Sequence, residues 1–215
     1  MTQHRVTDVE VLIDAAADIL MSDGYAAVTL ASIGSRCSLS VEEVGEVFPT
    51  ANDAMVAMLN REFQGMYGVI VQNIERDPRG GLLSRMYTYI FSAVYERPLA
   101  KTLYVIDPEA LNSIMRNSHS FEYTPTIGIQ SELVEALQRA GMVRPDVDVR
   151  VVSSVLKACS AGLALTAPHD DLGLIIDGLA MLLSRGVDND VDDTSPGKAV
   201  FYNWATKLTL PRPAA

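Results

Sequence analysis

Glu42, Glu43 and Glu46 crowd the short stretch Val41–Val47, and no Lys, Arg or His lies between Cys37 and Asn60 to offset them. A carboxylate accepts hydrogen bonds, so it suits a cytosine amino group or a basic protein surface, and it repels phosphate. The neighbouring side chains able to meet a phosphate are the hydroxyls of Thr29, Ser38, Ser40 and Thr50 and the guanidiniums of Arg5 and Arg36. Residues 1–60 carry those two arginines against nine acidic side chains (Asp8, Glu10, Asp14, Asp18, Asp23, Glu42, Glu43, Glu46 and Asp53). Their net charge of −7 is most of the −10 of the whole chain, so the acidity is gathered at the N-terminal end.

A second group is aromatic and apolar: Met86, Tyr87, Phe91, Tyr95, Tyr104, Met115, His119, Phe121 and Tyr123. Such a stripe either fills a core or lines a cavity for a small apolar or aromatic ligand. Core is the commoner outcome for such a stripe, and the tyrosine hydroxyls add weight to a cavity, because each needs a partner when buried. His4, His119 and His169 are dispersed, and Cys37 and Cys159 form no CxxC or Cys/His cluster, so neither a metal site nor a disulfide is expected. Asp188-x-Asp190-x-Asp192 lacks the glycine and terminal glutamate of a calcium loop, having Asp193 and Ala199 there, and reads as a solvated acidic run. No GxSxG, Walker, HExxH or dinucleotide motif occurs, which argues against an enzyme and against a cofactor. No run of 18 apolar residues is present, so no membrane span is expected, and the acidic N-terminus resembles no signal peptide. The expectation is a soluble cytoplasmic protein.

The elements that must position these groups read as helices throughout. Val9, Leu12, Ile13, Ala16, Ile19 and Leu20 recur at helical spacing after Thr7, a possible cap, and Gly24 ends that helix. Thr29 caps a short helix, Leu30–Arg36, where Gly34 predicts a close approach of a second helix. Ser38-Leu39-Ser40 turns the chain into Val41–Val47, and Phe48-Pro49 opens a long helix from Ala51 to about Asp77. Asp77-Pro78-Arg79-Gly80-Gly81 breaks it. Further helices are predicted over Leu82–Glu96, Leu99–Ile106, Pro108–Met115, Ile127–Ala140, Val147–Ala167 and Leu172–Gly186. The last two are apolar around more than one face, which suits either a central core or a subunit interface through Val155, Ala158, Gly162, Leu165, Ile175, Leu179 and Leu182. Beyond Val187 an acidic linker precedes Phe201, Tyr202 and Trp204, whose burial would dock the end as a short helix. The fold class is all-α, divided as a helix-turn-helix headpiece (1–50), a helical body (51–187) and an acidic linker with tail (188–215).

Leu12-Ile13-Asp14-Ala15-Ala16, Gly24-Tyr25, Thr29 with Ile33, Ser38-Leu39-Ser40 and Phe48-Pro49 together resemble the headpiece of the TetR (tetracycline-repressor-like) regulators. The resemblance implies a homodimer built on the last two long body helices, a ligand cavity in the body and an operator gripped by the two headpieces. Arg5, Thr29, Arg36, Ser38, Ser40, Val41, Glu42, Glu43 and Thr50 would then be the DNA-facing residues. This chain departs from the family there: Gly45 stands at the usual aromatic position, Ser38 at the usual turn glycine, and Thr50-Ala51 where a basic residue commonly follows Phe-Pro. Specific binders neutralise roughly 6–10 phosphates, which two arginines per subunit do not supply. The alternative expectation is a TetR fold that has left DNA and docks a protein partner through its acidic headpiece.

Overall fold

The computed structural model describes residues 8–117, 131–166 and 171–209, which form eleven α-helices, one 3-10 turn and one π-helical turn. The chain divides into two compact units, Met1–Phe63 with Asp107–Phe121, and Gln64–Ile106 with Glu122–Ala215.

In the first unit, α1 (Val9–Asp23) begins one residue later than Thr7 would place it. Asp8 is the cap, accepting from the Glu10 amide at 3.1 Å. Leu12, Ile13, Ala16, Ile19 and Leu20 form its buried face, as the spacing requires. Thr29 and Ser32 cap α2 (Leu30–Cys37) reciprocally, and Ser40 and Glu43 do the same for α3 (Val41–Val47). Between these helices, a Cβ on Gly34 would stand 2.7 Å from the Leu39 carbonyl oxygen. The glycine therefore makes room for the turn backbone and for the second helix the sequence suggested, since the Val44 side chain of α3 would lie 3.4 Å from that Cβ. Ser38 occupies the left-handed region, with φ 56°. A side chain there costs about 1–2 kcal/mol, which accounts for glycine at this turn in the family it resembles. The early part of α4 (Ala51–Arg76) adds Met55, Met58, Leu59 and Phe63 to this core. α7 (Pro108–Arg116) completes the unit, with Asn52 donating to the Asn117 carbonyl at 3.1 Å.

The second unit takes the rest of α4, with Met66, Ile70 and Ile74 buried. α5 (Leu83–Tyr95) packs along α10 (Leu172–Gly186). The helix expected over Leu99–Ile106 is a single α-turn, α6 (Pro98–Lys101), followed by a π-helical turn, Thr102–Ile106. Leu103, Tyr104 and Val105 are buried there while Ile106 is exposed. α8 (Ser131–Arg139) and α9 (Val149–Thr166) pack together.

The C-terminal segment differs most from its reading as an acidic linker with a short docked end. Asp188 is buried: its carboxylate accepts from the Ser84 amide at 3.3 Å and from the Ser84 hydroxyl at 2.5 Å, tying the end of α10 to the start of α5. Thr194 is also buried and donates to the Pro78 carbonyl at 2.7 Å. α11 (Ser195–Thr209) then lies against α8, with Phe201 fully buried. Gly81 and Gly197 permit this docking. A Cβ on the first would lie 1.9 Å from the Thr194 oxygen, and on the second 2.0 Å from the Gly81 oxygen.

Candidate functional site

The candidate residues fall into three groups, one in the first unit and two in the second. In the first unit, α2, the Ser38 turn and α3 have the geometry of a helix-turn-helix. Several polar side chains on it are consumed by the local structure. Thr29 and Ser40 cap their helices, and Glu43 accepts from the Ser40 amide at 2.7 Å. Thr50 donates to Asp53 at 2.7 Å. Arg36 lies 3.6 Å from Asp23, both half-exposed. Arg5 lies outside the described residues. The outward surface of α3 is left to Val41, Glu42 and Glu46, all exposed, beside Gly45, where an added Cβ would meet open space.

One basic residue that the count over residues 1–60 stopped short of is Arg61. It reaches Glu10 at 2.7 Å and Asp14 at 2.6 Å, so part of the α1 acidity is compensated from α4. Its three-residue offset from Met58, an inward position of the same helix, was legible as a position but not as a pairing. None of these pairs touches the α3 glutamates.

In the second unit, α5 carries Met86, Tyr87 and Phe91, all fully buried, and the half-buried Tyr95. Four-residue spacing stacks the rings: Tyr87 and Phe91 centroids are 4.4 Å apart, and Phe91 and Tyr95 6.4 Å. Burial, with smaller effects of Cys159 and Tyr95, pushes the Tyr87 hydroxyl far above its ordinary range, and that hydroxyl has no hydrogen-bond partner among the described residues. Tyr104 is buried in the π-helical turn, where burial and then Tyr67 raise its pKa. Met115 belongs to the first unit on α7 and is half-buried, so the structure does not gather it with the α5 ladder. His119, Phe121 and Tyr123 lie outside the described residues. Two described cavities lie elsewhere in the second unit. One, about 340 Å³, runs between α8 and α11 past Trp204, and the other, about 470 Å³, lies at the end of α10 beside Arg79, Arg144 and Arg185.

The third group is apolar and outward. On α9, Val151 and Val155 are 59% and 53% exposed, and on α10 Leu174 and Leu182 are 72% and 62% exposed. Of the residues expected at an interface, Val155, Ala158 and Leu182 are exposed, while Gly162, Ile175 and Leu179 are half-buried. The Leu165 side chain lies outside what is described. Val151, Leu174 and Met181 were missed by the sequence reading, although all three continue the same helical faces. Among the described residues, no cluster of His, Cys, Asp or Glu is arranged to hold a metal, and no helix is long and apolar enough to cross a membrane.

The chain matches no family model and no curated protein sequence. Solved structures do resemble it. A TetR/AcrR-family transcriptional regulator from Thermobifida fusca YX-ER1 is 17% identical with a TM-score of 0.56, over 83% of this chain and 97% of that one. SmeT, the repressor of the Stenotrophomonas maltophilia multidrug efflux pump SmeDEF, is 17% identical with a TM-score of 0.57, over 87% and 93%. The fatty acid degradation regulator FadR from Bacillus halodurans is 12% identical with a TM-score of 0.55, over 84% and 96%. Likeness at these identities is one of fold. The chain has the all-α fold of the TetR/AcrR-family transcriptional regulators.

Proposed function

We propose that this protein is a homodimeric transcription regulator of TetR type, cytoplasmic and non-catalytic, that responds to a small apolar or aromatic ligand. Residues 1–50 serve as the reading headpiece, 51–187 as the effector-binding and dimerising body, and 188–215 as the segment that closes the body. The observation that carries this reading is the apolar face of α9 and α10. Val151, Val155, Leu174, Met181 and Leu182 are exposed on two helices of one unit, and large apolar side chains gathered on outward helix faces mark an interaction surface. A second copy related by a two-fold axis covers it with the same face. Ligand and DNA then bias one two-state equilibrium in opposite directions. The ligand is received by the α5 ladder of Met86, Tyr87, Phe91 and Tyr95, with Tyr104 as a further candidate in the same unit. Arg5, Arg36, Ser38, Val41, Glu42 and Glu43 face the operator, with Thr29, Ser40 and Thr50 reaching it only beyond the local bonds they already make.

A second reading is favoured by α3 itself. With Glu42 and Glu46 outward and unopposed, the headpiece fits a basic protein partner better than a phosphate backbone, and the protein acts through that partner in place of DNA. Polarisation of a labelled duplex at about 50 mM salt, where counterion release favours binding most, separates the two. Binding that weakens steeply with added salt supports the operator reading. No binding, even to non-specific duplex, overturns it and leaves the partner reading.

A further inference from the structure

The interior of the second unit contains a hydroxyl that the described residues do not satisfy. Tyr87 is fully buried, and its hydroxyl finds no hydrogen-bond partner among them. Leaving such a group unmet is costly, and buried polar groups are ordinarily paired with protein, water or ligand. Ser153, also buried and on α9 of the same unit, is a second hydroxyl in that state. The Tyr87 ring begins the α5 ladder with Phe91 and Tyr95, and the Cys159 thiol and Tyr95 hydroxyl lie within its electrostatic reach. Met86, Ile90 and Val94, buried on the same helix, are apolar neighbours of this ladder in sequence.

Formal charge is kept outside this interior. Arg85 is held by Asp77 and Tyr89, and Arg139, Lys157 and Arg185 are exposed. The described Lys and Arg of the unit are all exposed or half-buried, and the buried carboxylate, Asp188, is engaged by Ser84. An ion entering here would lose its hydration with no described counter-charge to replace it.

We propose that the effector is an uncharged amphiphile whose one oxygen function, a carbonyl or hydroxyl, is received by the Tyr87 hydroxyl while its apolar remainder lies along the Tyr87–Phe91–Tyr95 ladder. This rests on the effector-binding reading above and names the ligand class for it.

The test is displacement of N-phenyl-1-naphthylamine, an uncharged apolar fluorophore, from the full chain by four ligands of equal chain length: 2-dodecanone, 1-dodecanol, dodecanoate and dodecyltrimethylammonium. The ketone and the alcohol should displace the probe at concentrations at least about 10-fold below the two ions, since a buried unpaired charge is penalised strongly. Y87F should weaken the ketone about 3- to 10-fold more than it weakens the probe, which carries no oxygen, the difference being the worth of one hydrogen bond. Dodecanoate or the ammonium binding as tightly as the ketone overturns the uncharged class, and a ketone weakened no more than the probe in Y87F overturns the anchor. In both cases probe binding still upholds an effector cavity. If the wild-type chain binds no probe up to about 100 μM, the effector reading fails and takes this assignment with it.

Discussion

The outward surface of α3 in the first unit and the outward faces of α9 and α10 in the second are both left uncovered by the packing of a single chain, and opposite chemistry fills them. On α3 the side chains free of local duty are Val41, Glu42 and Glu46. On α9 and α10 they are Val151, Val155, Leu174, Met181 and Leu182. Water solvates the first surface without cost, so its partner must bring complementary charge. Water is a poor solvent for the second, so a partner there needs only shape and apolar area. The scaffold under α3 is kept intact, with both capping boxes and the Gly34 turn in place, while its exposed side chains point away from phosphate binding.

Breaking the apolar face should give the largest effect. Burying unpaired charge at a subunit interface costs about 3–5 kcal/mol, so the wild-type chain should sediment as a dimer and L174R/L182R as a monomer at the same concentration, with helicity unchanged by circular dichroism. A dimer that survives both arginines means that α9 and α10 are not the interface. Reversing the acidic face should give the next largest change. E42K/E46K alters the charge of a dimer by eight, and its affinity for non-specific duplex at about 50 mM salt should rise at least about 10-fold with a steeper salt dependence. If duplex affinity does not change, α3 lies away from the nucleic acid in any complex.

The contrast continues inside each unit, with smaller effects. Burial raises the pKa of Asp77, but hydrogen bonds from the Tyr89 hydroxyl, the Arg79 amide and the Arg85 guanidinium outweigh it and hold the carboxyl below its ordinary value. A depressed carboxyl contributes stability above its unfolded pKa of about 3.9 and loses it as pH falls through the folded value. Melting followed between about pH 2 and 6 should show this acid-side loss in the wild type and a flatter profile in D77N, which starts less stable near neutrality. Asp188 has the opposite sign, because burial raises its pKa more than the Ser84 bonds lower it. In the first unit, S38G should stabilise the turn before α3 by about 0.5–1 kcal/mol, since the left-handed backbone there no longer carries a Cβ. A melting temperature that falls instead would mean that the serine hydroxyl contributes more than the strain removes.

Local patterns carried most of the helix assignment. The bounds of Val41–Val47 and Leu172–Gly186 were legible because Ser40 and the Gly186 end are marked by near neighbours, and those signals act within one turn of helix. The helix expected over Leu99–Ile106 was not, since its pattern of Leu103, Tyr104 and Val105 suits an α-helix and a π-helical turn alike. The same limit applied to charge. Summing residues 1–60 placed the acidity correctly but missed that Arg61 reaches back some fifty positions to Glu10 and Asp14.

By itself, the sequence determined the all-α class, the helix-turn-helix with its capped α2 and α3, and the excess of acid over base on the headpiece. These follow from periodicity, caps and composition, all of which act over a few residues. Only the tertiary structure decided that Asp188 is a buried latch on Ser84 and that α11 is a docked helix of fifteen residues. It likewise decided that the Tyr87 hydroxyl has no partner among the described residues while Val151, Val155, Leu174 and Leu182 face outward. The physical reason is that burial is a property of what lies opposite. Asp188 and Asp190 are alike in sequence, and it is Ser84, a hundred residues away, that makes one of them part of the core.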